Sequence, residues 1–139
     1  MQGYLVFFLN CDKLLVVRKM IDSPLILAYM GDTIYEQYVR ENLIRRGISK
    51  IGELQQRSLD YVSARSQRRH LERMEECKFL TEDELAIIKW GRNAKGPKKK
   101  HTDIVTYRLA TGLETLIGKL YFEHNNERIK EIMEFILGE

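Results

Sequence analysis

Residues 25–36 read LILAYMGDTIYE. Apolar and aromatic side chains surround Asp32, in the rhythm of a helix face that packs against something. Leu25, Ala28, Tyr29, Asp32, Tyr35, Glu36, Val39 and Leu43 recur at the i, i+3/i+4 spacing of one helical stripe. Ser23-Pro24 supplies an N-cap and a first-turn proline, and Gly47 a stop, so the pattern predicts a helix over about 24–46. An unpaired carboxylate on such a face is expensive to desolvate. Its presence asks for a chemical reason.

A second stretch, RLATGLETLIGKLY at 108–121, repeats the anomaly. Tyr107, Ala110, Thr111, Glu114, Ile117, Gly118 and Tyr121 share a stripe with an acid at its centre. Alone, Asp32 reads most simply as a structural carboxylate satisfied inside the fold. Two such acids on the two most apolar helices are harder to dismiss. If those helices pack together, Ala28, Gly31, Thr111, Gly112 and Gly118 permit close approach, and the carboxylates meet across a narrow gap. Like charges share such a gap only when a proton or a cation neutralises them. Neither stripe carries lysine or arginine, so a hard divalent ion is the natural neutraliser. All-oxygen ligands favour magnesium or manganese over zinc. Glu36, one turn beyond Asp32, is a candidate further ligand.

The rest of the 139-residue chain fits one helical domain with a real core. Only two prolines and nine glycines argue against a turn-rich β-sandwich, and no period-2 strand pattern of useful length occurs. Further helices are expected at about 50–57 and 59–77. The capping box Thr81-Glu-Asp-Glu84 opens another that runs to Gly91. GRNAKGPKKKH at 91–101 reads as a loop, after which Thr102 or Asp103 caps a long helix to about 123. Asn125-Asn126 breaks it before a last helix at about 127–137. The expectation is an all-α domain of six or seven helices over 22–139, preceded by an N-terminal extension, 1–21. Within that extension YLVFFL (4–9) is too short to span a bilayer and lacks the basic flank of a signal peptide. Cys11 and Cys77 form no CxxC pair or His/Cys cluster, which suggests a reducing compartment and no zinc site. A cytoplasmic location without membrane attachment is expected.

The net charge of +3 is unevenly spread: residues 40–101 hold sixteen Lys/Arg against nine Asp/Glu. Such a segment suits a polyanion, although a solvated, solubilising face would look similar. Arg92, Lys95, Lys98, Lys99 and Lys100 crowd a loop shaped by Gly91, Gly96 and Pro97, with no acid among them. Arg65, Arg68, Arg69 and Arg73 form a stripe on the third helix. Cations placed this way suit phosphate contact that is salt-sensitive and mostly independent of sequence. A polyphosphate backbone together with a divalent metal points to phosphodiester chemistry.

These residues carry a family resemblance. LAYMGD at 27–32 resembles the LEFLGD signature of ribonuclease III, and ATGLETLIG at 110–118 resembles that family's ADTVEALIG segment. Adding YVSARSQ (61–67), GRNAK (91–95) and the short length, the chain resembles Mini-ribonuclease III, a catalytic domain without a double-stranded-RNA-binding domain, over about 22–137. The resemblance implies a ribonuclease III endonuclease-domain helical bundle, acting as a homodimer that cuts double-stranded RNA with Mg²⁺, Mn²⁺ being a possible substitute. It implies 5′-phosphate and 3′-hydroxyl ends, short 3′ overhangs, and a role in maturation of precursor 23S ribosomal RNA. Carried over by residue, Asp32 falls on the signature aspartate and Glu114 on the glutamate before the terminal LIG. Arg65, Arg68 and Arg69 on the basic helix, and Arg92, Asn93, Lys95, Lys98, Lys99 and Lys100 in the loop, are the expected RNA contacts. Full-length ribonuclease III has a glutamate at the place of Ala28 and an aspartate at that of Thr111. Mini-III sequences share both substitutions, so water or Glu36 would have to fill those coordination positions. The competing expectation is a non-catalytic RNA-binding or ribosome-associated helical module. It explains the charge distribution and leaves the two acids without a purpose. A purely structural reading has them bonded to Tyr35, Tyr107 or Tyr121.

Overall fold

A computed structural model describes residues 22–97 and 103–138. The expected extension 1–21, and Lys98, Lys99 and Lys100 of the basic loop, lie outside the described residues. Among those described are six α-helices and no strand: α1 (Pro24–Arg45), α2 (Ile51–Val62), α3 (Ala64–Glu76), α4 (Glu82–Arg92), α5 (Ile104–Phe122) and α6 (Asn126–Leu137). The all-α expectation holds.

Local chemistry sets most of these boundaries. Pro24 opens α1, and Gly47 closes it at φ +89, donating to the Ile44 carbonyl while Ile48 donates to Leu43. In α4 the capping box forms in both directions: Glu84 N–H donates to Thr81 Oγ1 at 3.1 Å and Thr81 N–H to Glu84 Oε1 at 3.0 Å. Asp103 caps α5 by accepting from Thr106 N–H at 2.9 Å. One boundary differs from expectation. The break between the second and third helices falls at Ser63, not near residue 58, because the Ser63 hydroxyl oxygen accepts from Ser66 N–H at 3.2 Å and starts α3 there.

The most extensive packing is between α1 and α5, with α4 and α3 laid against the other sides of α5. Two glycines make the α1–α5 contact possible. A Cβ on Gly31 would collide with the backbone carbonyl of Glu114, and one on Gly118 with that of Leu27. The helices therefore touch backbone to backbone, closer than the usual 8–10 Å between axes allows for larger side chains. Around that crossing the core is filled by Leu27, Tyr35, Leu113, Leu116, Ile117 and Ile132, each fully buried.

Close approach rotates α1 away from the expected orientation. The buried side is Leu27, Ala28, Gly31, Ile34, Tyr35, Val39 and Leu43, so Asp32 and Tyr29 turn outward, Tyr29 being 80% exposed. The acid sits at the rim of the helix contact instead of on its inner face. Across the bundle, Arg128 of α6 joins α4. Its guanidinium donates to both carboxylate oxygens of buried Glu84 (2.8 and 2.7 Å) and to the Phe79 carbonyl at 2.7 Å, and lies over the Phe79 ring.

Candidate active site

Residues 110–118 of α5 are buried with one exception, Glu114, which is half-buried. The exception occurs where the backbone of α5 touches Gly31, and Asp32 is the next residue on α1. The backbones of the two acids thus meet at this crossing, Asp32 exposed and Glu114 half-buried. The tyrosine below them registers the charge. Tyr35 donates its hydroxyl to the Tyr61 carbonyl at 2.6 Å. Burial pushes its pKa upward, the Glu114 carboxylate adds to the rise, and the Arg69 guanidinium opposes it. An acid of α5 and a cation of α3 therefore act on one hydroxyl of α1.

The two carboxylates, Asp32 exposed and Glu114 half-buried, are oxygen donors of the kind that a hard divalent ion prefers. Among the described residues no three His, Cys, Asp or Glu side chains are grouped as metal ligands. Glu36 is engaged elsewhere, accepting from Arg40 Nη2 at 3.1 Å. Nor do the two substituted positions add a carboxylate. Ala28 is buried without one, and Thr111 donates its hydroxyl to the Tyr107 carbonyl at 3.0 Å. An ion held by Asp32 and Glu114 would complete its coordination from water and from substrate oxygens.

The expected phosphate-binding residues divide into two groups. Arg65 and Arg69 on α3, and Asn93 and Lys95 after α4, are exposed. Arg92 is half-buried, its Nε donating to Asn93 Oδ1 at 3.4 Å. Arg68 points across the bundle, donating Nε to Glu72 Oε1 and Nη1 to Thr106 Oγ1, both at 2.8 Å. Arg73 lies over the Phe135 ring, 5.5 Å from its centroid. Sequence reasoning missed two further features. Fully buried Thr115 bonds α5 to the first turn of α1, its hydroxyl donating to the Pro24 carbonyl at 3.1 Å and to Thr111 at 2.7 Å. A hydroxyl inside the apolar run LETLIG was the available signal. Tyr107 and Arg108 line a recess with Leu25, Lys95 and Thr111, close to Glu114 along α5. No periodicity marks that recess, because it forms only when the end of α4 folds back onto α1.

Comparison with known proteins gives the family. Residues 25–125 match the ribonuclease III domain. The chain is 44% identical over 116 residues to Mini-ribonuclease 3 of Staphylococcus aureus, covering 83% of this chain and 87% of that protein. It is 41% identical over 123 residues to Mini-ribonuclease 3 of Streptococcus pneumoniae, covering 85% and 96%. The chain belongs to the Mini-ribonuclease III family. As a member of that family it is an endoribonuclease. A crystal structure of a Fusobacterium nucleatum protein shares the Mini-III helical bundle, with a TM-score of 0.73, 28% identity, and coverage of 84% of this chain and 92% of that one. Among the described residues no helix of this Mini-III chain is long and apolar enough to cross a membrane.

Proposed function

We propose that this protein is a Mg²⁺-dependent homodimeric endoribonuclease that cuts double-stranded RNA, with precursor 23S ribosomal RNA as its cellular substrate in the cytoplasm. What supports the reading is that Gly31, the neighbour of Asp32, lies against the backbone of Glu114 at the α1–α5 crossing. Together they would hold the ion; Mn²⁺, with the same preference for oxygen, would substitute. Bound there, the ion supplies an activated water and offsets the charge that builds on the phosphate in the transition state. The protein's own part is positional. Gly31 and Gly118 fix the separation of the acids, and Thr115 ties the start of α1 to the turn that carries Glu114. Glu36, paired with Arg40 in an exposed ion pair, is a further ligand, direct or through water.

Arg65, Arg69, Arg92, Asn93 and Lys95, with Lys98, Lys99 and Lys100, contact the phosphates and 2′-hydroxyls of an A-form duplex, reading shape more than sequence. A single small domain offers little length for this. A second copy supplies the rest, and it has a surface to use. Ile44, Ile51 and Leu59 are 60%, 70% and 53% exposed around a shallow groove between α1 and α2. That groove continues the outward stripe Asp32, Glu36 and Arg40 of α1. An apolar patch so placed suits self-association, and pairing there would set two sites on opposite strands of one duplex.

The test is incubation of long duplex RNA with the purified protein in Mg²⁺, with an EDTA control and with end analysis. The expected outcome is metal-dependent cutting that leaves 5′-phosphates and 3′-hydroxyls. Duplex RNA that binds and stays intact in Mg²⁺ and in Mn²⁺ would overturn the catalytic reading and favour the non-catalytic RNA-binding module.

A further inference from the structure

Arg68 stands among the cations of α3, between Arg65 and Arg69, yet its partly exposed guanidinium bonds one turn along its own helix and across to another. Nη1 donates to Thr106 Oγ1 and Nε to Glu72 Oε1, each at 2.8 Å. Thr106 is buried, 5% exposed, and its own backbone N–H is held by the capping Asp103 at 2.9 Å. It lies on the helix of Glu114, eight residues earlier, a rise of about 12 Å. The arginine fork thus links the basic helix to the helix that carries one acid of the site. A lysine ammonium, a single point of charge on a flexible stem, could not hold the same two oxygens in the same geometry.

We propose that Arg68 is a positioning residue for RNA binding: through Thr106 it fixes the exposed cations of α3 in register with Glu114. This inference rests on the RNA-cleaving reading above. Neighbouring Arg69 already acts electrostatically on Tyr35 together with Glu114, so a shift of α3 would move that charge relative to the site. Phosphate contacts made by Arg65 and Arg69 do their work only when the cations match the spacing of the duplex at the moment the scissile bond reaches the acids. Freeing α3 makes that match an added ordering step on binding. The chemistry after binding is untouched.

The test measures Kd for a short RNA duplex in EDTA across a salt series, and KM and kcat in Mg²⁺, for the wild type and the variants R68A, T106V, T106S, R69A and the R68A/T106V double. Thr106→Val removes the acceptor oxygen, together with the hydroxyl's bond to Asp103, and leaves every charge in place. The expected result is about a fivefold rise in Kd and KM for R68A and T106V alike, with kcat unchanged and no further rise in the double variant. T106S, which keeps the oxygen, should bind as the wild type does. R68A should leave the slope of log Kd against log salt unchanged, whereas R69A should lower it by about one phosphate contact. Wild-type binding by T106V would show that the tie to Thr106 does not set binding, and a salt slope that falls by about one in R68A would show Arg68 touching phosphate itself; either result overturns the proposal. A parallel fall in kcat and thermal midpoint for T106V would equally overturn it, reducing the tie to a fold contact. If the wild type binds duplex RNA without cutting it, only the catalytic reading fails and the Kd comparison still decides. If it does not bind at all, both fail.

Discussion

At the scale of the residue, the buried ionisable groups serve stability. Arg128 and Glu84 form a two-point ion pair with side chains 17% and 9% exposed, and removing one partner leaves a buried charge. Arg128→Ala should therefore lower unfolding free energy by about 3 kcal/mol, read by urea denaturation, with little change in cleavage per folded molecule. Acid should weaken the fold for two reasons. Burial, reinforced by the Arg69 charge, brings the His70 pKa down from 6.5 to about 4. As pH falls below 6.5 the unfolded chain takes up a proton that the folded chain refuses, so stability declines until about pH 4. Glu84 adds to this. Its burial favours the neutral acid, but the Arg128 and Thr81 hydrogen bonds outweigh that and hold its pKa below the usual 4.5. Its contribution is complete above 4.5 and fades as pH drops through the lower folded value. Denaturation at pH 7, 5.5 and 4.5 should show a loss of up to about 3 kcal/mol from His70. His70→Phe should flatten that slope, and an equal loss in the variant would assign the acid sensitivity to other groups.

At the scale of the element, the decisive contact is α1 on α5. Gly31 has no room for a methyl group, because the opposing atom is a backbone carbonyl and not a movable side chain. Gly31→Ala should destabilise the protein by about 3 kcal/mol and separate Asp32 from Glu114, so that cleavage falls further than the folded fraction does. A fall no larger than the folded fraction would mean that the seam does not set the acids. Much of this element was legible in the sequence. The small residues Gly31 and Gly118 foretold close approach, and the capping signals at Thr81 and Gly47 fixed helix ends to within a residue or two. The helix's rotation was not legible. Periodicity gave the single stripe Leu25, Ala28, Tyr29, Asp32, Tyr35, Glu36, Val39 and Leu43; the glycine contact turns its Ala28, Tyr35, Val39 and Leu43 edge inward with Leu27 and Gly31, and leaves Tyr29 and Asp32 outside. The long ties, Thr115 to Pro24, Arg68 to Thr106 and Arg128 to Glu84, join residues 38 to 91 positions apart and leave no periodic trace.

At the scale of the whole molecule, charge and apolar surface occupy separate places. Cations gather on α3 and on the segment after α4, while Ile44, Ile51 and Leu59 form a patch continuous with the outward side of α1. If that patch seats a second copy, Ile51→Glu should yield monomers in sedimentation and reduce duplex cleavage at least tenfold, since a like charge would face its counterpart across the two-fold axis. A variant that stays dimeric and active would place the interface elsewhere. The proposed pairing of the acids, in contrast, lies within one chain and is open to a more direct test. Glu114 is half-buried at the α1–α5 seam, and glutamine keeps its shape while removing its charge. The measurement is the single-turnover rate of duplex RNA cleavage in Mg²⁺ by folded Glu114→Gln protein. The account predicts a loss of about a thousandfold or more with an unchanged thermal midpoint, and cleavage at the wild-type rate would contradict it.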